Sequence, residues 1–200
     1  AEYLRVPHAD YGPIKVPSVG EDERYLFLSD VLPTAWQGVK YAGVPDGGTL
    51  AVLGLGPIGQ MATRIGARFG YRVIGVDPVA ERRAMAARHG FEVIEDGEDA
   101  VEKLQELCDG RGPDSVVDAV GIEAHGSPVS GVYGGMKDPM PMMTLFDKQI
   151  QMRMGQCNVR NWTDDILPLV DDPSDPLGVL DLKTHTAPLD DAPAMYEKLG

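Results

Sequence analysis

Apolar and polar positions along this chain switch between two periods, and the switch points mark its elements. Leu50 to Leu53 is a short apolar run after the turn Pro45-Asp46-Gly47-Gly48, which predicts a buried strand. From Ile58 the apolar residues fall at Met61, Ile65 and Phe69, the spacing of one helix face. Tyr71 to Val76 returns to a buried-strand pattern and closes on Asp77. A second helix follows Pro78 and stops at Arg88-His89-Gly90. Gly90 suits a left-handed cap there, and two basic side chains sit at the negative end of the helix dipole. His89 is read as a capping residue rather than a catalyst. Phe91 to Ile94 predicts a third strand, and Val101, Leu104, Leu107 and Cys108 mark one face of a helix from about Asp99. Ser115 to Val120 predicts a fourth strand after the turn Asp109-Gly110-Arg111-Gly112-Pro113. Strands alternating with helices predict a doubly wound parallel α/β sheet.

The flanks follow other patterns. Ala1 to Val16 carries Tyr3, Leu4, Val6, Ile14 and Val16 among prolines, which predicts an edge strand and loop. Glu21 to Arg24 opens a short helix running through Leu28, and a further helix runs to Tyr41 with Trp36 and Val39 apolar. Ile150, Met152 and Met154 alternate as a strand would. Asn161 is the expected cap of a helix that Pro168 bends or ends. Asp171 to Gly178 reads as a polar loop, Leu180 to Thr186 as a strand, and Asp190 as the cap of a last helix. Between Val120 and Gly131-Val132-Tyr133 there is too little chain for a helix and a returning strand, because a parallel crossover takes roughly a dozen residues or more. Either the sheet is abbreviated, or part of a longer parent sequence is absent near 129–130. The second is the expectation, and it predicts a break in the backbone between Gly126 and Gly131.

The strand–helix–strand unit at Thr49 to Asp77 carries candidate chemistry. Its turn reads Gly54-Leu55-Gly56-Pro57-Ile58-Gly59. Gly54 permits the tight turn, Gly56 allows backbone to approach a pyrophosphate, and Gly59 lets the helix pack against the strand. The helix amino terminus offers unbonded N–H groups and a positive dipole end to phosphates. Asp77 would accept hydrogen bonds from both hydroxyls of an adenosine ribose and repel a 2′-phosphate. Dinucleotide binding is the expectation; a turn whose glycines serve packing only, or a methyltransferase-type sheet, are the alternatives.

Composition narrows the classes. The chain has 200 residues and a formal charge of −13, which opposes nucleic acid and anionic membrane surfaces as partners. No apolar run approaches a membrane span, and no leader pattern opens the chain. Cys108 and Cys157 match no metal or redox spacing and read as free thiols of a reducing, cytoplasmic compartment. The methionines from Met136 to Met154 are read as an adaptable subunit interface, with core filling as the alternative.

Phe27 to Val39, FLSDVLPTAWQGV, together with GLGPIG, Val76-Asp77-Pro78 and the closing THTAPLDDAPAMYEKL, resembles the zinc-dependent medium-chain alcohol dehydrogenase superfamily, and most of all its formaldehyde-dehydrogenase branch. The resemblance covers nearly the whole chain. It implies a Rossmann domain over residues 30–157, with residues 1–29 and 158–200 belonging to a second, catalytic lobe. It implies hydride transfer between an alcohol or aldehyde and NAD, a small-molecule substrate, and a homodimer or homotetramer. On its own, Asp30 before Pro33 reads as a helix cap. The resemblance instead puts Asp30 at the position of a catalytic zinc ligand and Thr34 beside the nicotinamide. It adds Pro57, Ile58, Arg82, Gly131 and Val132 to the cofactor contacts and implies a zinc that polarises the substrate oxygen. The superfamily's other ligands, a Cys and a His, lie in an amino-terminal region this chain lacks, so Asp30 alone cannot hold the metal.

Overall fold

The structure is a computed structural model, and it describes residues 4–16, 22–120 and 142–199. Four strands form one parallel sheet: β1 (Thr49–Leu53), β2 (Arg72–Asp77), β3 (Glu92–Glu95) and β4 (Ser115–Asp118). Their spatial order is β3-β2-β1-β4. The register pairs Leu53 with Val76 on one side of β1 and with Asp118 on the other. The chain therefore steps outward from β1 to β3 and returns to the far side of β1 with β4. The order reverses beside β1, and in such sheets the crevice outside the carboxyl ends of the strands at that point is where ligands bind.

Helices α1 (Val31–Ala42), α2 (Pro57–Arg68), α3 (Ala80–Arg88) and α4 (Ala100–Leu107) join or flank these strands. β1 is buried along Leu50, Ala51 and Val52, as its continuous apolar run predicts. Leu32, Val39, Leu50, Val52, Met61, Ile65 and Val73 belong to one core cluster between α1, α2 and the sheet. Trp36 meets Phe69 edge-on at 5.0 Å, closing that core at the carboxyl end of α2. α1 ends on Gly43 in the left-handed region, and Gly90 after α3 has φ 85 as the cap reading requires.

The flanks depart from expectation. Residues 4–16 form no strand; His8 has φ 54 and its carbonyl accepts Tyr11 N–H and Gly12 N–H in a tight turn. Asp22–Ser29 is a 3-10 helix rather than an α-helix. Ile150, Met152 and Met154 alternate but have no described strand edge to pair with, and all three are exposed. Helix α5 (Met142–Asp147) precedes them. Helix α6 (Val159–Asp171) begins after Asn158, earlier than expected, and runs through Pro168. Burial of Ile166 and Val170 on the core outweighs the backbone bond that proline forfeits. The strand expected over Leu180–Thr186 is instead a 3-10 turn, Val179–Leu182. Gly178 at φ 59 reverses the chain, and the Asp175 carboxylate accepts Val179 N–H and Leu180 N–H at 2.9 and 3.2 Å. The last helix, α7 (Ala192–Leu199), follows a short 3-10 turn over Leu189–Asp191. β4 stops at Asp118, two residues short of the expected end.

Buried polar groups tie the flanks to the sheet domain. Arg64 on α2 is 5% exposed and donates from Nη1 to the carbonyls of Leu177 and Gly178, with Asp181 3.4 Å from Nη2. His89 Nε2 lies 2.6 Å from the same Asp181 carboxylate, and its ring stacks near Phe91. His89 is thus the residue that ends α3 and also a strut to the carboxyl-terminal segment. Gln37 on α1 makes a second tie: Nε2 donates to Gln156 O at 3.2 Å, and Oε1 accepts from Asn158 N–H and the Trp162 indole at 3.2 and 3.0 Å.

Candidate functional site

The glycine turn leaves β1 at its carboxyl end, in the crevice beside β2 and β4. Gly54 has φ 84, and its N–H donates to Val76 O at 2.8 Å. A Cβ there would come within 3.0–3.1 Å of Ala119 and Val120, so β4 closes directly against the turn. Gly59 is needed for packing: an added Cβ would lie 1.8 Å from Gly54 O. Gly56 is different. Its φ is −66, which any residue adopts, and a Cβ there would meet nothing within 4 Å among the described residues. Among the described residues Gly56 therefore faces open space at the mouth of the turn.

Pro57 takes the first helical position, where its missing N–H costs nothing. Ile58 and Gly59 follow in the first turn, whose amides have no helical acceptor and whose dipole end is positive. Gly54, Gly56, Pro57, Ile58 and Gly59 are thus brought together at one helix start.

Asp77 ends β2 opposite this turn and is 1% exposed. Its Oδ2 accepts Leu55 N–H at 2.6 Å and its Oδ1 accepts Val79 N–H at 2.7 Å. The guanidinium of Arg82, half exposed, stands 3.8 Å from Oδ2. Arg83 donates to Asp77 O at 2.7 Å and reaches Glu95 at 3.7 Å. Asp77 and Arg82 are brought to one spot, and the carboxylate also holds the glycine turn in place. Asp118, at the end of β4, accepts Val120 N–H at 3.0 Å, and burial pushes its carboxyl above the usual range.

Asp30 and Thr34 lie apart from the turn, at the start of α1. Asp30 occupies the capping position but makes no capping hydrogen bond with its side chain. Its Oδ1 instead accepts the Thr34 hydroxyl at 3.0 Å. The carboxylate is exposed, so it remains open to a further partner. Cys157 lies beside this pair: burial pushes its thiol up, while a hydrogen bond with the Thr34 side chain opposes the shift. Nothing in the local sequence signals that neighbourhood, because Cys157 and Thr34 are far apart along the chain. Among the described residues no group of three or more His, Cys, Asp or Glu side chains could hold a metal ion. Gly131 and Val132 lie outside the described residues, as does the expected break near 129–130.

Gln60 was also missed. It follows Gly59, is 2% exposed, and donates to Leu55 O and Arg82 O. A polar residue next to the last glycine of the turn was the only available signal. A cavity of about 260 Å³ lies elsewhere, at the amino-terminal ends of β1 and β2, lined by Thr49, Arg72 and Cys108 among others. Its Arg72 is already engaged by Glu92 and by Leu107 O, so it has no part in the site at the turn.

Known proteins resemble this chain in sequence and in fold. The profile of the zinc-binding dehydrogenase family matches residues 57–171. A zinc-type alcohol dehydrogenase-like protein of Bacillus subtilis, uncharacterized, is 32% identical over 98% of this chain and 61% of its own length. A glutathione-independent formaldehyde dehydrogenase of Pseudomonas aeruginosa is 38% identical over 66% of this chain and 35% of its own. The solved structure of the alcohol dehydrogenase TADH from Thermus sp. ATN1 superposes with a TM-score of 0.81 at 29% identity, over 93% of this chain and 59% of that one. The chain thus spans well under two thirds of the length of these relatives. Among the described residues no helix is long and apolar enough to cross a membrane. With the family profile on the glycine-turn helix and the strands beyond it, and a matching parallel α/β sheet, the chain belongs to the zinc-binding dehydrogenase family.

Proposed function

We propose that the intact protein is an NAD-dependent, zinc-type alcohol or aldehyde dehydrogenase and that residues 30–157 of this chain form its nucleotide-binding lobe. Residues 1–29 and 158–200 then belong to the catalytic lobe. The observation that carries this reading is the open face of Gly56 at the start of α2, with the Asp77 carboxylate bonded to the N–H of the adjoining Leu55. The pyrophosphate of a dinucleotide would rest against Gly56 and the first-turn amides of α2. Each Asp77 oxygen accepts one backbone N–H and keeps a further lone pair for a ribose hydroxyl. Arg82 must swing aside to expose them, and its half-exposed side chain is free to do so. A 2′-phosphate would meet the Asp77 charge, which favours NAD over NADP.

Bound NAD would supply the carbon that accepts hydride. The residues of this chain bind and orient it. For zinc the described residues gather no group of three or more donors around Asp30, and a catalytic zinc takes three protein ligands. They do not by themselves fit a metal centre, and no step is assigned to it. The exposed run of Met143, Phe146, Ile150, Met152 and Met154 supports a homodimer or homotetramer, to be checked by sedimentation.

The deciding experiment is a titration of the intact protein with NADH, NADPH and S-adenosylmethionine, followed by an alcohol and aldehyde panel read by NADH absorbance. NADH should bind most tightly and turnover should follow. Tighter NADPH binding sinks the cofactor assignment. NADH binding without turnover on any substrate makes the protein a nucleotide-sensing module instead.

A further inference from the structure

Leu55, the middle residue of the glycine turn, is held from both sides of its backbone. Its N–H donates to Asp77 Oδ2 at 2.6 Å, and its carbonyl accepts from Gln60 Nε2 at 3.0 Å. Its side chain is buried and packs over Gly75, where an added Cβ would come within 2.9 Å of it. The peptide that presents Gly56 to the crevice therefore has little freedom left. Gln60 does more than hold this carbonyl. The same Nε2 donates to Arg82 O at 2.8 Å, so one amide bridges the phosphate turn and the first turn of α3, which carries Arg82.

The amide orientation is fixed by chemistry. Both neighbours are carbonyl oxygens, so only the NH₂ group can face them. Gln60 Oε1 is left buried without a hydrogen-bond partner among the described protein groups. A leucine here would remove that atom but would leave the Leu55 carbonyl without its side-chain donor. The glutamine is held here by its two donated bonds, at the expense of an unpaired Oε1.

We infer that Gln60 is a positioning residue for the dinucleotide: it sets the spacing between the turn that would meet the pyrophosphate and the turn that would meet the adenosine ribose. It touches neither directly, since it is buried behind both. The inference rests on the proposed dinucleotide site. Positioning of this kind is sensitive: in catalysis a misplacement of about 1 Å caused by a remote mutation can cost on the order of a hundredfold in rate.

The test uses the intact protein and its Gln60→Leu and Gln60→Glu variants, with NADH and ADP-ribose as probes. Gln60→Leu should weaken NADH and ADP-ribose by a similar factor, on the order of tenfold or more, together with a lowered thermal midpoint, because the Leu55 carbonyl loses its donor. A merely structural role would lower the midpoint and leave affinity intact. Gln60→Glu keeps the shape but turns a carboxylate toward two carbonyls. Its affinity should be lower still at neutral pH and recover on acidification, when a carboxyl O–H can donate again, and this signature stands even if the leucine variant folds poorly. Variants that bind both probes as the wild type does, with no pH-dependent recovery, overturn the role of Gln60. Failure of the wild type to bind either probe overturns the dinucleotide site itself.

Discussion

At the scale of single residues, Asp77 has two duties, and a substitution separates them. Asp77→Ser removes the acceptor for Leu55 N–H and Val79 N–H, a loss of about 1–3 kcal/mol that a urea unfolding curve would register. It should also weaken NADH more than NADPH, narrowing the preference; unchanged discrimination would refute the ribose contact. Asp118 gives the pH dependence. Its carboxyl is raised by burial, so the charged form is disfavoured in the folded state. The linked stability is fully present below the ordinary value of about 3.9 and is lost as pH rises through the raised folded value. Asp118→Asn keeps an oxygen for Val120 N–H and removes the charge, so it should raise the unfolding free energy at neutral pH by an amount on the order of 1 kcal/mol or less. The gain should vanish in acid, where both proteins are neutral at this position; an equal gain at all pH values would show a packing effect instead. Asp77 was legible in the sequence as the acid that closes a strand. Its double hydrogen bond to the backbone was not, because Leu55 and Val79 reach it only once the sheet has formed.

At the scale of elements, the strand–turn–helix unit invites a paired test of its glycines. Gly59→Ala puts a Cβ on Gly54 O and forces α2 away from β1, a destabilisation of about 1–3 kcal/mol or more. Gly56→Ala adds a methyl to open space at ordinary φ, so the midpoint should hold while NADH affinity falls, since the methyl stands where the pyrophosphate would lie. If Gly56→Ala bound NADH normally, the turn would be a packing device only. The elements with a strong period were legible: β1, α2 and β2 lie where the apolar spacing put them. Those without a partner were not. Leu180–Thr186 has strand-like residues, but Asp175 and Gly178 coil the preceding chain, and a strand exists only where a neighbouring edge accepts its hydrogen bonds.

For the whole molecule, the two candidate centres stand apart. The glycine turn is built from contiguous sequence and is complete within the described residues, whereas Asp30 offers a single exposed carboxylate. In the intact protein, Asp30→Ala should abolish bound zinc and turnover, read by metal analysis and NADH absorbance, while NADH affinity is unchanged. Wild-type zinc content in that variant would remove Asp30 from the metal site. Gln37 and Arg64 fasten the carboxyl-terminal segment to α1 and α2, through partners more than a hundred positions away. The sequence by itself determined the alternation of strands and helices, the glycine turn and the acid facing it, because periodicity and turn chemistry act over a few residues. Only the tertiary structure decided that Pro168 stays inside a helix, that Cys157 lies beside Thr34, and that Gln60 and Asp77 clamp Leu55 from opposite sides. Each of these depends on which distant groups the folded sheet brings within hydrogen-bond reach or buries together, and local spacing carries no record of that.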